Sequence, residues 1–326
     1  MQNTFRITFS PAEINPKINY NSRLIFAGSC FSENISEKLK RYKFSVLSNP
    51  FGIIYNPFSL LEELQMILSK RVFSEADIFQ EGGIYRSFYM HSRISHPDKE
   101  MMLNMMNKTI LDGYEFLKTA THLVLTPGTA RVYVLKSNGK IVANNHKQPA
   151  NLFDKRQLHF SEVNDLFHKL VNELQKFNPQ LSIIFTVSPV RHLKDGAAEN
   201  MHSKAILIAS IHEVIKNSVN TTYFPAYELM MDDLRDYRFY AEDMLHPNTI
   251  AVDYIFEKFQ NACIDESTYN IMKQVDEIKT AMQHKPFFPE LEQYKKFKET
   301  YLQKVLKLQK ENAIVDLREE VSFFRG

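Results

Sequence analysis

The chain has 326 residues, 44% of them hydrophobic and 12% aromatic, which is enough apolar material for a sizeable core in one large domain or two smaller ones. Its 40 basic and 38 acidic side chains leave a net charge of +2, so nothing suggests a nucleic-acid footprint, which needs a clustered basic surface. No apolar run reaches the roughly 20 residues of a membrane span, the opening Met1–Arg6 carries no apolar signal region, and the cysteines, Cys30 and Cys263, read as free thiols of a protein in the reducing cytoplasm.

Leu24–Ala27 reads as a first strand and Ser32–Arg41 as the helix after it, with Ile35 and Leu39 four apart. Phe44–Leu47 follows as a second strand and Ser59–Ser69 as a helix with Leu60, Leu61, Leu64 and Ile67 on one side. From about Arg71 to Lys118 runs a long insertion, expected to be helical, with Glu81-Gly82-Gly83 and a methionine-rich segment, Met101–Met106, that reads as core filler. Strands are expected over His122–Thr126, Ser182–Val187 and Thr222–Ala226, and helices over Phe160–Lys176, Lys204–Lys216 and Thr249–Ala262. Beyond Cys263, Ile271–Gln283 and Glu290–Asn312 read as charged amphipathic helices split by Pro286 and Pro289. This tail either packs on the main domain or mediates homo-oligomer formation. Uninterrupted apolar strands suit a sheet buried on both faces. Their alternation with helices implies an α/β, doubly wound, mostly parallel five-stranded sheet with helices on both faces. Residues 1–263 are expected to form that unit and residues 264–326 a helical extension.

The first strand ends Ala27-Gly28-Ser29-Cys30-Phe31-Ser32. Gly28 permits a sharp turn, and Ser29 and Cys30 then lie at a helix start, where unpaired N–H groups and the positive dipole end point outward. A thiol there would have its thiolate stabilised, and a hydroxyl could attack once a base took its proton. The bland readings are a helix-capping serine and a small buried cysteine. In open parallel sheets ligands bind beyond the carboxyl ends of the strands, so the position is a sensible one for a nucleophile.

After the fifth strand comes Tyr240-Ala241-Glu242-Asp243-Met244-Leu245-His246-Pro247-Asn248. Asp243 and His246, three apart, face the same side of one helical turn, and a carboxylate beside an imidazole fixes its tautomer and stabilises the imidazolium. The bland alternative is a helix-start acid beside a surface histidine.

Gly28-Ser29-Cys30-Phe31 resembles the motif that names the GSCFA-domain proteins, which belong with the SGNH/GDSL-like hydrolases. Asn49–Pro57, His146–Asn151, Thr186–His192 and Tyr223–Glu228 through to His246-Pro247 are similar to that family too, over roughly Phe26 to Phe259. The resemblance implies a flavodoxin-like SGNH-hydrolase fold. Carried over position by position, it puts Cys30 where the serine nucleophile would stand and Ser29 where the aspartate of Gly-Asp-Ser would be. Gly52 matches the second-strand glycine, Gly128 the glycine of the third block, and Asp243 and His246 the final pair. Ala130 stands where the oxyanion asparagine should be, so that donor must come from elsewhere, with Asn56, Asn145 or a backbone N–H as candidates. The alignment favours Cys30, and the hydroxyl chemistry of the wider superfamily favours Ser29.

Arg191 and His192, ending the fourth strand, could clamp an anionic group or bind substrate. His146 and His91 read as hydrogen-bonding loop residues. No zinc, calcium, dinucleotide or phosphate-loop signature is present, so no cofactor is expected. The resulting expectation is a metal-independent hydrolase or acyltransferase. It would act on an acyl ester of a small molecule or carbohydrate through Ser/Cys, His and Asp, with backbone N–H groups near Gly28, Gly52 and Gly128 as the oxyanion hole. The rival is a non-catalytic ligand-binding or assembly module that keeps the scaffold and uses the helical tail for partners.

Overall fold

A computed structural model describes residues 8–326; the reading of Met1–Arg6 as lacking a signal region lies outside the described residues. Among the described residues the strands are β1 (Arg23–Gly28), β2 (Ser45–Ser48), β3 (Phe79–Glu81), β4 (Ile84–Arg86), β5 (His122–Thr126), β6 (Arg131–Leu135), β7 (Lys140–Val142), β8 (Phe153–Gln157), β9 (Ser182–Phe185) and β10 (Thr221–Tyr223). The helices are α1 (Cys30–Arg41), α2 (Pro57–Leu68), α3 (Lys99–Thr119), α4 (Phe160–Phe177), α5 (Ala197–Lys216), the short α6 (Ala226–Glu228), α7 (Thr249–Cys263), α8 (Tyr269–Met282), α9 (Glu292–Glu311) and α10 (Arg318–Arg325).

Five strands form one sheet in the spatial order β2-β1-β5-β9-β10, and every pairing in it is parallel. The chain thus winds outward from β1 in one direction to β2 and then in the other to β5, β9 and β10. That order puts the reversal of winding between β1 and β5, where open α/β sheets bind their ligands. The alternation of side chains along β1 explains why both faces are apolar. Leu24 and Phe26 enter one core with Ile35 and Leu39 of α1 and Ile255 and Phe259 of α7. Ile25 and Ala27 enter the other with Leu60 and Leu64 of α2, Leu170 of α4 and Leu207 of α5.

The C-terminal helices join the first of these cores: Val275, Ile278, Val305, Leu308 and Phe324 are buried in the same cluster as Phe26. The insertion differs from the all-helical expectation. Its first part is the β3–β4 hairpin, turned by Gly82 and Gly83 at φ +56° and +79°, the pair of positive φ values a two-residue hairpin turn demands. Its second part is α3, where Met102 and Met106 are buried. A further antiparallel sheet, β7-β6-β8, was not anticipated. β8 reads Phe-Asp-Lys-Arg-Gln and buries only Phe153, so it offers no alternating apolar signal. Among the described residues no helix is long and apolar enough to cross a membrane.

Gly28 fixes the geometry at the carboxyl end of β1. Its φ is +146°, and a Cβ there would collide with the Thr126 carbonyl of the neighbouring β5. Gly28→Ala should therefore destabilise the fold by about 3 kcal/mol, from backbone strain plus a clash that only main-chain movement relieves. Urea unfolding checks this, and unchanged stability would show that the β1–β5 approach is slack.

Candidate active site

Beyond Gly28 the chain turns directly into α1. The Gly28 N–H donates to Asn49 Oδ1 at 2.9 Å and the Ser29 N–H to the Thr126 carbonyl at 3.0 Å. Ser29 is extended and caps α1 through its hydroxyl, which accepts from the Phe31 N–H at 3.3 Å and donates to Ser188 Oγ at 2.9 Å. Only 2% of Ser29 is exposed. Cys30, the first residue of α1, is partly exposed and its thiol is free. The serine is thus committed to tying the end of β1 to the loop after β9, and the thiol is the group left with access.

The helix start does not make that thiol acidic. Burial pushes the Cys30 thiol up, and Glu33 adds to the rise. The N–H groups of Cys30 and Phe31 and the charge of Lys204 pull the other way without cancelling it. The expected thiolate stabilisation is real in sign and outweighed in size, because the site is drier than a surface helix end.

Asp243 and His246 meet, on a turn rather than a helix. Met244 sits at φ +59°, and the Asp243 carboxylate closes the turn on itself: Oδ1 accepts from the N–H groups of Leu245 at 2.9 Å and His246 at 3.0 Å. The other oxygen, Oδ2, lies 2.6 Å from His246 Nδ1. The backbone bonds, with the imidazole bond after them, hold the Asp243 carboxyl down at about 2. A carboxylate ionised throughout the neutral range can only accept, so Nδ1 carries a proton and Nε2 is the ring nitrogen that the pair leaves unused. The His246 side chain is 47% exposed.

The loop after β9 connects this turn to α1. The Arg191 N–H donates to the Leu245 carbonyl at 3.1 Å. Its guanidinium stacks 4.1 Å from the Tyr240 ring and 5.3 Å from Tyr237, with no carboxylate paired to it among the described residues. The next residue, His192, packs its ring 5.3 Å from that of Tyr55, and its Nε2 is buried without a hydrogen-bond partner among the described residues. Burial, then the charges of Lys204 and His246, drive His192 down to about 3, so the ring is neutral. Gly128 makes room for it: a Cβ there would lie 2.9 Å from His192 Nε2 and 3.1 Å from Tyr55 Cβ.

The carboxyl ends of β1, β5 and β9 therefore gather Ser29, Cys30, Gly128 and His192, and Arg191 and His192 reach the Asp243–His246 turn. Among the described residues no hydrogen bond joins His246 to Ser29 or Cys30.

The expected oxyanion donors fare differently. Asn56 caps α2, with Oδ1 accepting from the Ser59 N–H at 2.8 Å and Nδ2 donating to Ser59 Oγ at 3.0 Å; at 2% exposure it has nothing left to offer a substrate. The N–H of Gly52 is spent on the Asn49 carbonyl and that of Gly128 on the Tyr55 carbonyl, both at 2.7 Å, as that of Gly28 is on Asn49. These three glycines supply shape, not donors. The N–H of Cys30 is aimed at its own thiol.

The sequence reading missed Lys204, which is 0% exposed and donates from Nζ to the Ser188 carbonyl at 2.6 Å. A signal existed. Asn200, Lys204, Leu207 and Ile211 fall at helical spacing on the buried face of α5, and a charge in that stripe has to be accommodated. Among the described residues no group of three or more His, Cys, Asp or Glu side chains is placed to hold a metal ion.

Comparison with known proteins adds a family. The profile of the GSCFA family matches residues 23–259, and that of the GSCFA domain protein C-terminal domain matches residues 275–326. No curated protein sequence matches significantly. Similar solved structures include a carbohydrate esterase family 3 protein from Talaromyces cellulolyticus, at 9% identity and a TM-score of 0.26, covering 47% of this chain and 59% of that one. An acetyl xylan esterase, Est2A, from the rumen bacterium Butyrivibrio proteoclasticus is 11% identical at a TM-score of 0.39, covering 75% of this chain and 65% of that one. The alignments thus span less than two thirds of either protein.

Two measurements follow from this geometry. Iodoacetamide should modify Cys30 at least about tenfold faster than the fully buried Cys263, with a rate that still climbs above pH 9 because the thiol is pushed up; equal rates in a peptide map would contradict the placement of Cys30. His192, neutral in the fold down to about 3 against an ordinary value of 6.5, takes up a proton more readily when unfolded. Its contribution to stability is present above pH 6.5 and is lost as pH falls toward 3. His192→Gln should flatten that part of the acid-unfolding curve, and an unchanged slope would show the ring is not desolvated.

Proposed function

On the premise that the chain belongs to the GSCFA family, we propose that it is a metal-independent acyl hydrolase or acyltransferase with Cys30 as nucleophile, His246 as its acid–base and Asp243 as the group that orients His246. The observation that carries this reading is the Asp243–His246 pair, with an ionised, backbone-held carboxylate on Nδ1 and an imidazole side chain that is 47% exposed, on a turn bonded to the loop after β9, which also holds Ser29 beside the partly exposed thiol.

In the first half-reaction His246 Nε2 takes the Cys30 proton, and Sγ attacks the carbonyl carbon of an ester. The tetrahedral intermediate collapses, its alkoxide leaves with the proton from His246, and a thioester remains on Cys30. Water, or the hydroxyl of an acceptor, then gives its proton to His246 and attacks the thioester, and the returning proton restores the thiol. A raised thiol pKa makes this base necessary, because little thiolate is present beforehand. The Cys30 N–H is the available oxyanion donor, a contribution of about 3 kcal/mol in comparable sites. Arg191, a cation facing aromatic rings without a carboxylate partner among the described residues, suits an acidic or hydroxyl-rich ester such as an acylated carbohydrate.

A second reading, a ligand-binding module without turnover, is favoured by the spent N–H groups of Gly28, Gly52 and Gly128, which leave fewer oxyanion donors than an acyl-transfer site ordinarily has.

Hydrolysis of a panel of p-nitrophenyl esters in the presence of EDTA separates the two. Turnover should persist with the chelator and fall at least about a hundredfold in His246→Ala and Cys30→Ala, with a smaller loss in Asp243→Asn. Turnover retained in both alanine variants would exclude this chemistry, and no turnover by the unaltered protein on any ester would favour the binding module.

A further inference from the structure

Lys204 is a lysine that the fold has taken out of water with no carboxylate beside it. It projects from α5 into the site and is 0% exposed. Its Nζ donates to the Ser188 carbonyl at 2.6 Å. Its cationic end lies 5.4 Å from the centre of the Tyr227 ring. Among the described residues no Asp or Glu lies within ion-pairing distance of it.

The position of this amine is defined by the same short network that holds the nucleophile. Ser188, whose carbonyl takes the Lys204 proton donor, receives the hydroxyl of Ser29, and Ser29 immediately precedes Cys30 and caps its helix. Thus β1, β9 and α5 are locked together at one point, with a thiol on one side of it and an amine on the other. An ammonium buried without a counter-ion is costly. A polar group kept at such cost beside the strand ends that carry Ser29 and Cys30 is suited to meet a negative charge that forms there.

We propose that Lys204 is the counter-ion of Cys30: the thiolate that forms at Cys30 is the anion this buried ammonium is there to meet. The charge balance is complete within the pair. Burial is the larger influence on the amine and Cys30 opposes it, so that Lys204 is pulled down to about 7 even with the Cys30 charge raising it. With the thiolate formed, Nζ keeps its proton and the two charges offset each other's desolvation. The other titratable groups around the pair do not replace it. Glu33 opposes the Cys30 thiolate, Tyr55 stays neutral, and so does His192, whose ring the Lys204 charge helps keep unprotonated. Tyr227 also stays neutral and offers only its ring. The proposal deepens the acyl-transfer reading by naming what stabilises its nucleophile, and it rests on that reading only for the use to which the thiolate is put.

The test is the pH dependence of Cys30 alkylation by iodoacetamide, followed on the Cys30 peptide by mass spectrometry in the full chain. Lys204→Met should move the midpoint upward by about one unit or more, so that Cys30 reacts roughly tenfold more slowly at pH 8. Lys204→Arg, which keeps a cation, should recover much of the loss. A purely structural lysine would give the same midpoint in all three folded proteins, and that result overturns the proposal. If Lys204→Met does not fold, the unaltered protein decides. Capping Cys30 as its uncharged methyl disulfide should lower the Lys204 titration midpoint seen by NMR of labelled lysine, and an unmoved midpoint refutes the pairing. The two ideas fail separately. Absent ester turnover with intact Lys204-dependent alkylation counts against the esterase reading alone, and turnover with Lys204-independent alkylation counts against the counter-ion alone.

Discussion

The site begins where two parallel strands come too close for a side chain. Gly28 lies against the carbonyl of Thr126, and only a residue without Cβ, at a φ of +146°, can stand there. From that approach the rest follows in sequence. The chain can leave β1 abruptly, Ser29 can cap α1 within one residue of the strand end, and its hydroxyl can reach Ser188 beyond β9. Gly128 does the equivalent at the end of β5, leaving space that the His192 ring fills. The glycines a family comparison would nominate as oxyanion donors are thus better understood as the pieces that let three strand ends converge.

Dehydration governs the chemistry at that convergence. The Cys30 thiol is pushed up despite a helix start beneath it, His192 is pushed down to about 3, and the Lys204 amine is pulled down to about 7, in each case with burial as the largest cause. Asp243 departs from this rule. It is exposed, and its carboxyl is held at about 2 by backbone N–H groups of its own turn. The site therefore has a solvent-facing carboxylate that stays ionised beside His246 and an interior of groups that resist charge.

Much of this was legible in the sequence because the central strands carry their own signal. His122–Thr126, with Leu123, Val124 and Leu125 at its centre, is buried throughout and forms β5 at those bounds, and the alternation with helices points to the doubly wound order. What stayed hidden had a different source in each case. β8 is largely polar because only one of its residues is buried. The first two turns of α5, from Ala197, lack apolar periodicity because Asn200 and Ser203 are the residues buried there. Asn56 looked like a donor to substrate because an asparagine that caps a helix and one that binds an oxyanion are the same residue in a sequence, and only its two bonds to Ser59 tell them apart. The pairing of Asp243 with His246 was readable from their spacing, although the backbone achieves it with a turn through Met244 at positive φ and not with a helix.

The most direct measurement of the central claim is the identity of the residue that carries an acyl group during reaction. Rapid acid quench of the protein with an activated acetyl ester, followed by peptide mapping, should find the acyl group on Cys30 as a thioester that hydroxylamine removes at neutral pH. An acyl group on Ser29, or an adduct nowhere on the peptide that spans the end of β1, would contradict the account.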